Sequence, residues 1–303
     1  IREGRGIELR VDDLPLDDEK TYQLLMHGET DGVFQLESAG MKGILVDMKP
    51  DCIEDVIALI ALYRPGPMSM IPEFISRKQG RTNITYEAAE LEDILRETYG
   101  VILYQEQVMQ IASVIGGYTL AQADTLRKVM SKKKVLEMEK EQPRFLAGAR
   151  AKQIPEHKAR RIWEQMERFA AYGFNKSHST AYAMISYQTA YLKAHYPVEY
   201  MAALLTSEKD NRDKIIKYIG VCREMGIRVL SPDVNASERD FSVAGEDIRF
   251  GLSGVKNVGA GAIETLVQAR NAGGPFLSLF DFCMRVDLPK VNRRVIESLI
   301  KCG

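Results

Sequence analysis

Apolar residues recur every three or four positions from the start of the chain to about Gly226, and that spacing predicts helices. The clearest case is EHKARRIWEQMERFA, residues 156–170. Ala159, Ile162, Trp163, Met166, Phe169 and Ala170 fall on one stripe there, while Arg160, Arg161, Glu164 and Glu167 fall outside it, the signature of an amphipathic core helix. PDCIEDVIALIALYRPGP puts Ile53, Val56, Ile57, Ile60 and Ala61 on one face. It must stop at Pro65 and Pro67, because proline lacks the amide donor and clashes with the preceding turn. From Leu91 to Met130 the pattern is helical again, with breaks at Tyr99-Gly100 and Gly116-Gly117 and with Thr119 capping LAQADTLRKVM. STAYAMISYQTAYLKAHYP closes at His195 and Pro197, and Pro197 opens the next helix, VEYMAALLTS. DNRDKIIKYIGVCREMG is predicted to run from an Asp210 cap to a Gly226 stop. The opening segment is expected to be extended and to turn at Pro15. A short helix should come next, capped by Asp17 or Asp18 and ending near Gly28.

After Gly226 the period changes. IRVLSPDVN, then DFSV and IRFGL separated by Ala-Gly-Glu-Asp, carry strand and hairpin signals, and they precede GVKNVGAGAIETLVQAR. The expected fold class is therefore mainly α: a multi-helix domain with short β pieces, followed by a partial helix-hairpin-helix element, with a boundary near Asn235. The expected divisions are residues 1–50, 51–234 and 235–303.

Composition adds little to this picture. At 303 residues and 45% apolar, the chain can bury a sizeable core. Its 41 Lys and Arg nearly cancel 42 Asp and Glu, so a nucleic-acid partner has to be argued from local clusters. Four scattered cysteines without CxxC spacing argue against a zinc site and for reduced thiols in a cytosolic protein. No apolar run approaches membrane-span length, and no signal peptide is read. The first residue is Ile and the last segment stops without a tail, which predicts a piece of a longer protein.

Candidate chemistry sits in four runs. TLRKVMSKKK gathers Arg127, Lys128, Lys132, Lys133 and Lys134 at a helix end. It reads either as a solvated basic terminus offset by Glu137, Glu139 and Glu141, or as a contact for a polyphosphate or a strand backbone. YRPGPMSM places Arg64 before a stiff double-proline turn, either a cap and turn or a phosphate-reading arginine. In YGFNKSHSTAYA, residues 172–183, Gly173 permits a turn, Asn175 tolerates a left-handed backbone, and Ser177 or Ser179 can cap the next helix. Lys176 and His178 beside Tyr172 and Phe174 exceed what a turn needs. Free amides at a helix start with a lysine and a histidine predict an anion site, and the aromatic flank offers a stacking surface for a base. GLSGVKNVGAGAIETL looks like a helix-hairpin-helix turn, in which Asn257 replaces the usual first glycine, Gly259 supplies the other, and Gly261 falls in the following helix. Lys256, Asn257, Val258, Gly259 and Gly261 are its expected contacts to backbone phosphate. Face-sharing carboxylates for metal-assisted chemistry are missing: Asp12-Asp13 and Asp17-Asp18 are merely adjacent. No nucleophile is paired with a base, and of four histidines only His178 has a polar setting.

The strings DGVFQLESAGMKGIL, IALIALYRPGPM, ETYGVILYQEQVMQIA, AQADTLRKVMSKKK, RFAAYGFNKSHSTAYAMISYQTAYLKAHYP and LSPDVNAS together resemble the C-family replicative polymerases, the catalytic alpha subunits of bacterial DNA polymerase III. The resemblance runs from about residue 11 to the end. It implies a fingers region: residues 1–50 as the connection from the palm, 51–234 as the helical fingers, and 235–303 as the truncated start of a tandem helix-hairpin-helix element. It also implies DNA-directed DNA polymerase activity, a nucleotidyl transfer, in the full-length subunit. Two Mg2+ ions would be held by palm aspartates outside this chain, so no catalytic or metal-binding residue is expected here and the chain alone should not extend a primer. The exonuclease-like domain, clamp-binding motif and oligonucleotide-binding fold of the family would also lie elsewhere.

Implied partners are primer-template DNA, a deoxynucleoside triphosphate (dNTP), the rest of the subunit and other replicase components, in the bacterial cytoplasm and away from membranes. Fingers close over an incoming dNTP, so the expected nucleotide contacts are Arg64, Arg127, Lys128, Lys132, Lys133, Lys134, Tyr172, Asn175, Lys176, Ser177 and His178. Lys176 and His178 would face phosphate, Asn175 and Ser177 would shape the loop, and Tyr172 would lie near a base or sugar. Two rivals stay open on sequence: a stand-alone, non-catalytic helix-hairpin-helix DNA-binding module, and a helical interaction scaffold whose basic runs are solvated faces.

Overall fold

A computed structural model describes residues 1–131, 135–170 and 173–302; the side chains at 131, 135–136, 139 and 170 lie outside the description. In chain order the helices are α1 (Arg2–Arg5), α2 (Glu19–Met26), α3 (Ala39–Met48), α4 (Ile53–Leu62), α5 (Ile71–Lys78), α6 (Glu92–Leu95), α7 (Gln105–Val114) and α8 (Leu120–Ser131). They continue with α9 (Val135–Ala151), α10 (Glu156–Ala170), α11 (Lys176–His195), α12 (Pro197–Ser207) and α13 (Arg212–Glu224). Three short strands come next, β1 (Val229–Leu230), β2 (Ser242–Ala244) and β3 (Asp247–Arg249), and then α14 (Ala260–Gly273), α15 (Leu279–Arg285) and α16 (Arg293–Cys302). The fold is mainly α, as the periodicity predicts.

Two compact units divide the chain. One is Pro15–Tyr191; the other joins Ile1–Leu14 to Leu192–Gly303. This division differs from the boundaries read at 50/51 and 234/235, and the cores explain why. Residues 192–234 share a core with the hairpin strands: Met201 and Leu205 of α12 and Tyr218 and Cys222 of α13 pack with Phe241 and with Ile248 of β3. The first residues join the same unit through Arg5, which pairs with Glu199 and lies over the Tyr196 ring.

In the Pro15–Tyr191 unit α4 is buried almost all round, with Asp55, Val56, Ile57, Ala58, Leu59, Ala61 and Leu62 inaccessible. A one-face helix is too weak a reading for it, because a helix apolar over most of its circumference is stable only in the middle of a core. Each fully buried Leu or Ile contributes roughly 1.5–3 kcal/mol relative to exposure. The helix ends before Gly66, whose φ of 100° turns the chain into a 3-10 segment at Pro67–Met70. The stripe of α10 is as predicted: Ala159, Ile162, Trp163, Met166 and Phe169 are buried, and the Trp163 ring meets Phe145 of α9 at 5.4 Å. The breaks at Tyr99-Gly100 and Gly117 use left-handed backbone, with φ of 52°, 80° and 69°.

Several local readings need correction. The opening segment is not extended but forms α1 and a 3-10 turn at Val11–Asp13. Asp18 caps α2 as expected, accepting the Thr21 N–H at 2.8 Å. The α13 cap is Asn211 rather than Asp210, since the Asn211 side chain accepts the Lys214 N–H at 3.2 Å. The hairpin turn is the pair Gly245-Glu246, with Gly245 at φ 66°. The sheet order is β1-β3-β2, with β1 parallel and β2 antiparallel to β3, and Ile248 sits between Val229 and Val243. α14, α15 and α16 enclose a second core from Ile263, Leu266, Phe282, Val291, Val295 and Leu299, and Phe250 packs against both cores.

Candidate nucleotide and nucleic-acid interface

Residues 173–175 are tied to the start of α7. The Phe174 N–H donates to the Leu103 carbonyl at 3.4 Å and the Gln105 N–H donates to the Phe174 carbonyl at 2.9 Å, forming a short parallel bridge. The Gln105 side chain donates to the Gly173 carbonyl at 3.0 Å. A Cβ on Gly173 would lie 3.1 Å from Gln105 Cγ and 3.2 Å from the Phe169 ring, so this glycine serves close approach. α11 begins at Lys176, earlier than a serine cap would allow, and its cap is Asn175, whose Oδ1 accepts the His178 N–H at 2.9 Å. Asn175 is not among the described left-handed residues. Ser179 is buried inside the helix, and Ser177 is exposed on its first turn.

The anion position expected at this helix start is filled from within the chain. Glu106 accepts the Lys176 N–H through Oε2 and the Asn175 side-chain amide through Oε1, both at 3.0 Å. Glu97 pairs with Lys176 Nζ at 2.6 Å, and that ammonium lies 5.6 Å from the Tyr104 ring centre. A carboxylate at a helix N-terminus satisfies the same amides and dipole that a phosphate would.

Arg64 and His178, distant in sequence, meet on Phe174. The Arg64 guanidinium lies 4.0 Å over the Phe174 ring, and its Nε–H donates to the Ala61 carbonyl at 2.9 Å. Burial lowers the Arg64 pKa. The His178 ring meets Phe174 edge-on at 5.4 Å and Tyr182 at 4.5 Å, and Tyr182 reaches Phe34 at 5.5 Å. Arg64, Phe174, His178 and Tyr182 line an open cavity of about 630 Å³ together with Glu37 and Tyr63. A cation on one aromatic face beside a stack of rings offers both charge and a flat surface.

The basic run is drawn in only partly. Arg127 donates to Gln105 Oε1 at 2.9 Å and to Asp124 at 2.8 and 2.9 Å, so it braces the residue that holds Gly173. Lys128 pairs with Asp124 at 2.7 Å. Hydrogen bonds from Lys128 and Arg127 hold the Asp124 carboxyl below the usual carboxylate range. Lys132, Lys133, Lys134 and Tyr172 lie outside the described residues. Sequence reasoning did not include Glu97, Gln105, Glu106, Phe34 or Tyr182, and it named Phe174 only as a flank.

The second candidate region is the turn before α14. Asn257 adopts the left-handed conformation, φ 68°, as its place in the motif predicts, and its amide donates to Ser298 Oγ at 3.1 Å. Val258 is buried, whereas Lys256 and Gly259 are exposed. Gly259 caps α14 without a side-chain bond, and a Cβ at Gly259 or Gly261 would meet nothing. That leaves open approach to the amides at the helix start.

Asp51, Cys52 and Asp55 place ligand-type atoms within 4.8 Å of one another. Lys78 Nζ stands between the two carboxylates at 2.7 Å from each, and the Tyr99 hydroxyl donates to Asp55 at 2.9 Å. Burial opposes the Lys78 charge, but the hydrogen bonds to Asp51 and Asp55 outweigh it and raise the lysine. Burial, reinforced by Asp55, pushes the Cys52 thiol up to about 12. An ammonium thus takes the place a metal cation would hold, and the cluster ties α4 to α5.

Comparison with known proteins gives two family matches. Residues 1–153 match the family described as the bacterial DNA polymerase III alpha subunit finger domain, and residues 226–303 match a helix-hairpin-helix motif. A DNA polymerase III subunit alpha from Thermus aquaticus is 54% identical over 308 residues, covering all of this chain and 25% of the relative. The subunit alpha of Pseudomonas aeruginosa is 50% identical over 99% of this chain and 26% of the relative, and that of Escherichia coli K12 is 50% identical over 96% and 26%. This chain spans about a quarter of the length of the curated relatives it matches. On these matches the chain belongs to the bacterial DNA polymerase III alpha subunit finger domain family, with a helix-hairpin-helix element over residues 226–303.

Proposed function

We propose that this chain is the fingers region of a replicative DNA polymerase catalytic subunit, holding the incoming dNTP and the template-primer while nucleotidyl transfer takes place in a palm outside it. The observation that carries the reading is the Arg64–Phe174–His178–Tyr182 stack lining a cavity beside the first turn of α11. The Arg64 cation suits a triphosphate and the rings suit a base or sugar. Lys176 reaches that role by exchanging Glu97 for phosphate, and the amides at the α11 start reach it by releasing Glu106. Two Mg2+ ions bound by palm carboxylates would supply Lewis acidity and a metal-activated 3′-hydroxyl. This chain's residues contribute positioning and charge neutralisation, so the chain by itself does not extend a primer. The hairpin at residues 255–259 serves sequence-independent contact with DNA, supported by its open glycines and left-handed Asn257.

The test is steady-state kinetics in the full-length subunit carrying this chain. Lys176→Ala and His178→Ala should raise the apparent KM for dNTP by on the order of tenfold, the loss of one charge-assisted contact of about 1.4 kcal/mol, with DNA affinity nearly unchanged. An unchanged KM for both variants refutes the nucleotide assignment.

A further inference from the structure

The cations around α11 are mostly matched by carboxylates; among the described residues, two of the three on α16, Arg294 and Lys301, are not. A groove of about 600 Å³ runs between the hairpin and α16, lined by Pro232, Phe250, Lys256, Asn257, Arg294, Ser298 and Lys301 among others, with three cations and, among the described residues, no carboxylate in its wall. Lys256, Arg294 and Lys301 are exposed, and among the described residues none of the three has an ion-pair partner. Their neighbour Arg293 behaves differently, since it pairs with Glu297 at 2.8 Å on the outer face of the same helix.

Position on α16 explains the separation. Arg294, Ser298 and Lys301 recur at intervals of four and three, so they share one face and point along one wall. Val295 and Leu299 lie roughly a third of a turn round the helix and anchor it in the core. The link between Asn257 and Ser298 fixes that wall against the hairpin. Like charges left together without counter-charges destabilise a surface unless an external anion relieves them. Cations on both walls offer contacts to more than one phosphate.

We infer that the face of α16 carrying Arg294, Ser298 and Lys301 is a second phosphate-binding wall, so that the hairpin and α16 clasp the backbone of one nucleic-acid strand between them. Lys256 and the hairpin amides hold one phosphate, and Arg294 and Lys301 hold its neighbours. Phe250 and Pro232 form an apolar floor under the sugar edge. The wall carries no base-specific geometry, so binding there is independent of sequence. This rests on the DNA-contact reading of the hairpin and extends it to a helix outside the turn.

The experiment is fluorescence anisotropy of a fluorescein-labelled primed DNA with the full-length subunit, titrated from 50 to 300 mM salt. The variants are Lys256→Ala, the double Arg294→Ala/Lys301→Ala, the charge-retaining double Arg294→Lys/Lys301→Arg, and Arg212→Ala as a control on α13. The alanine double variant should lower the slope of log affinity against log salt by about 1.8, the release of two counterions. It should also weaken binding roughly 10- to 100-fold at 0.1 M salt for any DNA sequence. The charge-retaining double should restore both, which separates electrostatics from misfolding, and Arg212→Ala should change neither. An alanine double variant that binds like the parent while Lys256→Ala weakens binding overturns the second wall and leaves the hairpin reading standing. Unchanged binding in all variants overturns both. Weaker binding at an unchanged slope, or without rescue by the charge-retaining double, also overturns the wall.

Discussion

Glu97 and Glu106 stand where a nucleotide's phosphates would be expected, and the size of that competition is set by their exposure. Both members of the Lys176–Glu97 pair are about one-third exposed. Ion pairs so placed are worth about 0.2–1 kcal/mol, too little to keep a triphosphate out but enough to tax its binding. If Lys176 must leave Glu97 to reach phosphate, removing the Glu97 charge should ease that exchange. Glu97→Gln in the full-length subunit is expected to lower the apparent KM for dNTP by up to about fivefold, the whole of that pair energy. Nucleotide titration at fixed primer-template reads it. A KM that rises, as expected for Lys176→Ala, would instead make Glu97 the residue that aims Lys176 and would remove the exchange from the proposed mechanism.

At the scale of elements, the crossing of α9 over the Gly116-Gly117 break depends on missing side chains. A Cβ at Gly148 would sit 1.8 Å from the Gly116 carbonyl oxygen, and one at Gly116 would sit 2.6 Å from Phe145. The obstacle to Gly148 is backbone, which cannot rotate away. Gly148→Ala is therefore expected to destabilise the Pro15–Tyr191 unit by about 1–3 kcal/mol, the usual cost of overpacking, despite alanine's better helix propensity. Urea unfolding followed by circular dichroism measures it, and an unchanged or raised midpoint would show that α9 does not need this contact. Nothing in the sequence announces the crossing. α10 was legible because its stripe is local and regular, and α4 because prolines bound it. α9 carries Pro143 within a highly charged stretch, and its need for glycine arises only from a neighbour some thirty residues earlier. The candidate site divides in the same way. Lysine, histidine and aromatics crowded into residues 172–183 marked the run as unusual, and Asn257 in a glycine's place marked the hairpin. Glu106 and Glu97, 69 and 79 residues from the groups they bind, leave no trace in local spacing.

For the molecule as a whole, the discontinuous unit makes a prediction that a chain read from end to end would not. Residues 1–14 fold with residues 192–303, attached by Arg5 to Glu199 and Tyr196, although 177 residues of the other unit intervene. Units with separate cores need not unfold together, so damage to one core should be felt along its own segments wherever they lie in sequence. Leu266 is 1% exposed in the core shared by α14, α15 and α16, and Leu266→Ala should cost roughly 2–5 kcal/mol through lost burial and the cavity left behind. Phe250 touches both that core and the one beneath the sheet, so the loss should spread to α12, α13 and β3. Hydrogen exchange read by mass spectrometry should then show faster exchange through residues 192–303, and at α1 if Arg5 holds it to α12. Rates in α4, α7 and α10 should stay as in the parent chain. Equal acceleration everywhere would mean that the whole chain opens as one cooperative body. Acceleration confined to α14–α16 would mean that Phe250 does not join the two cores.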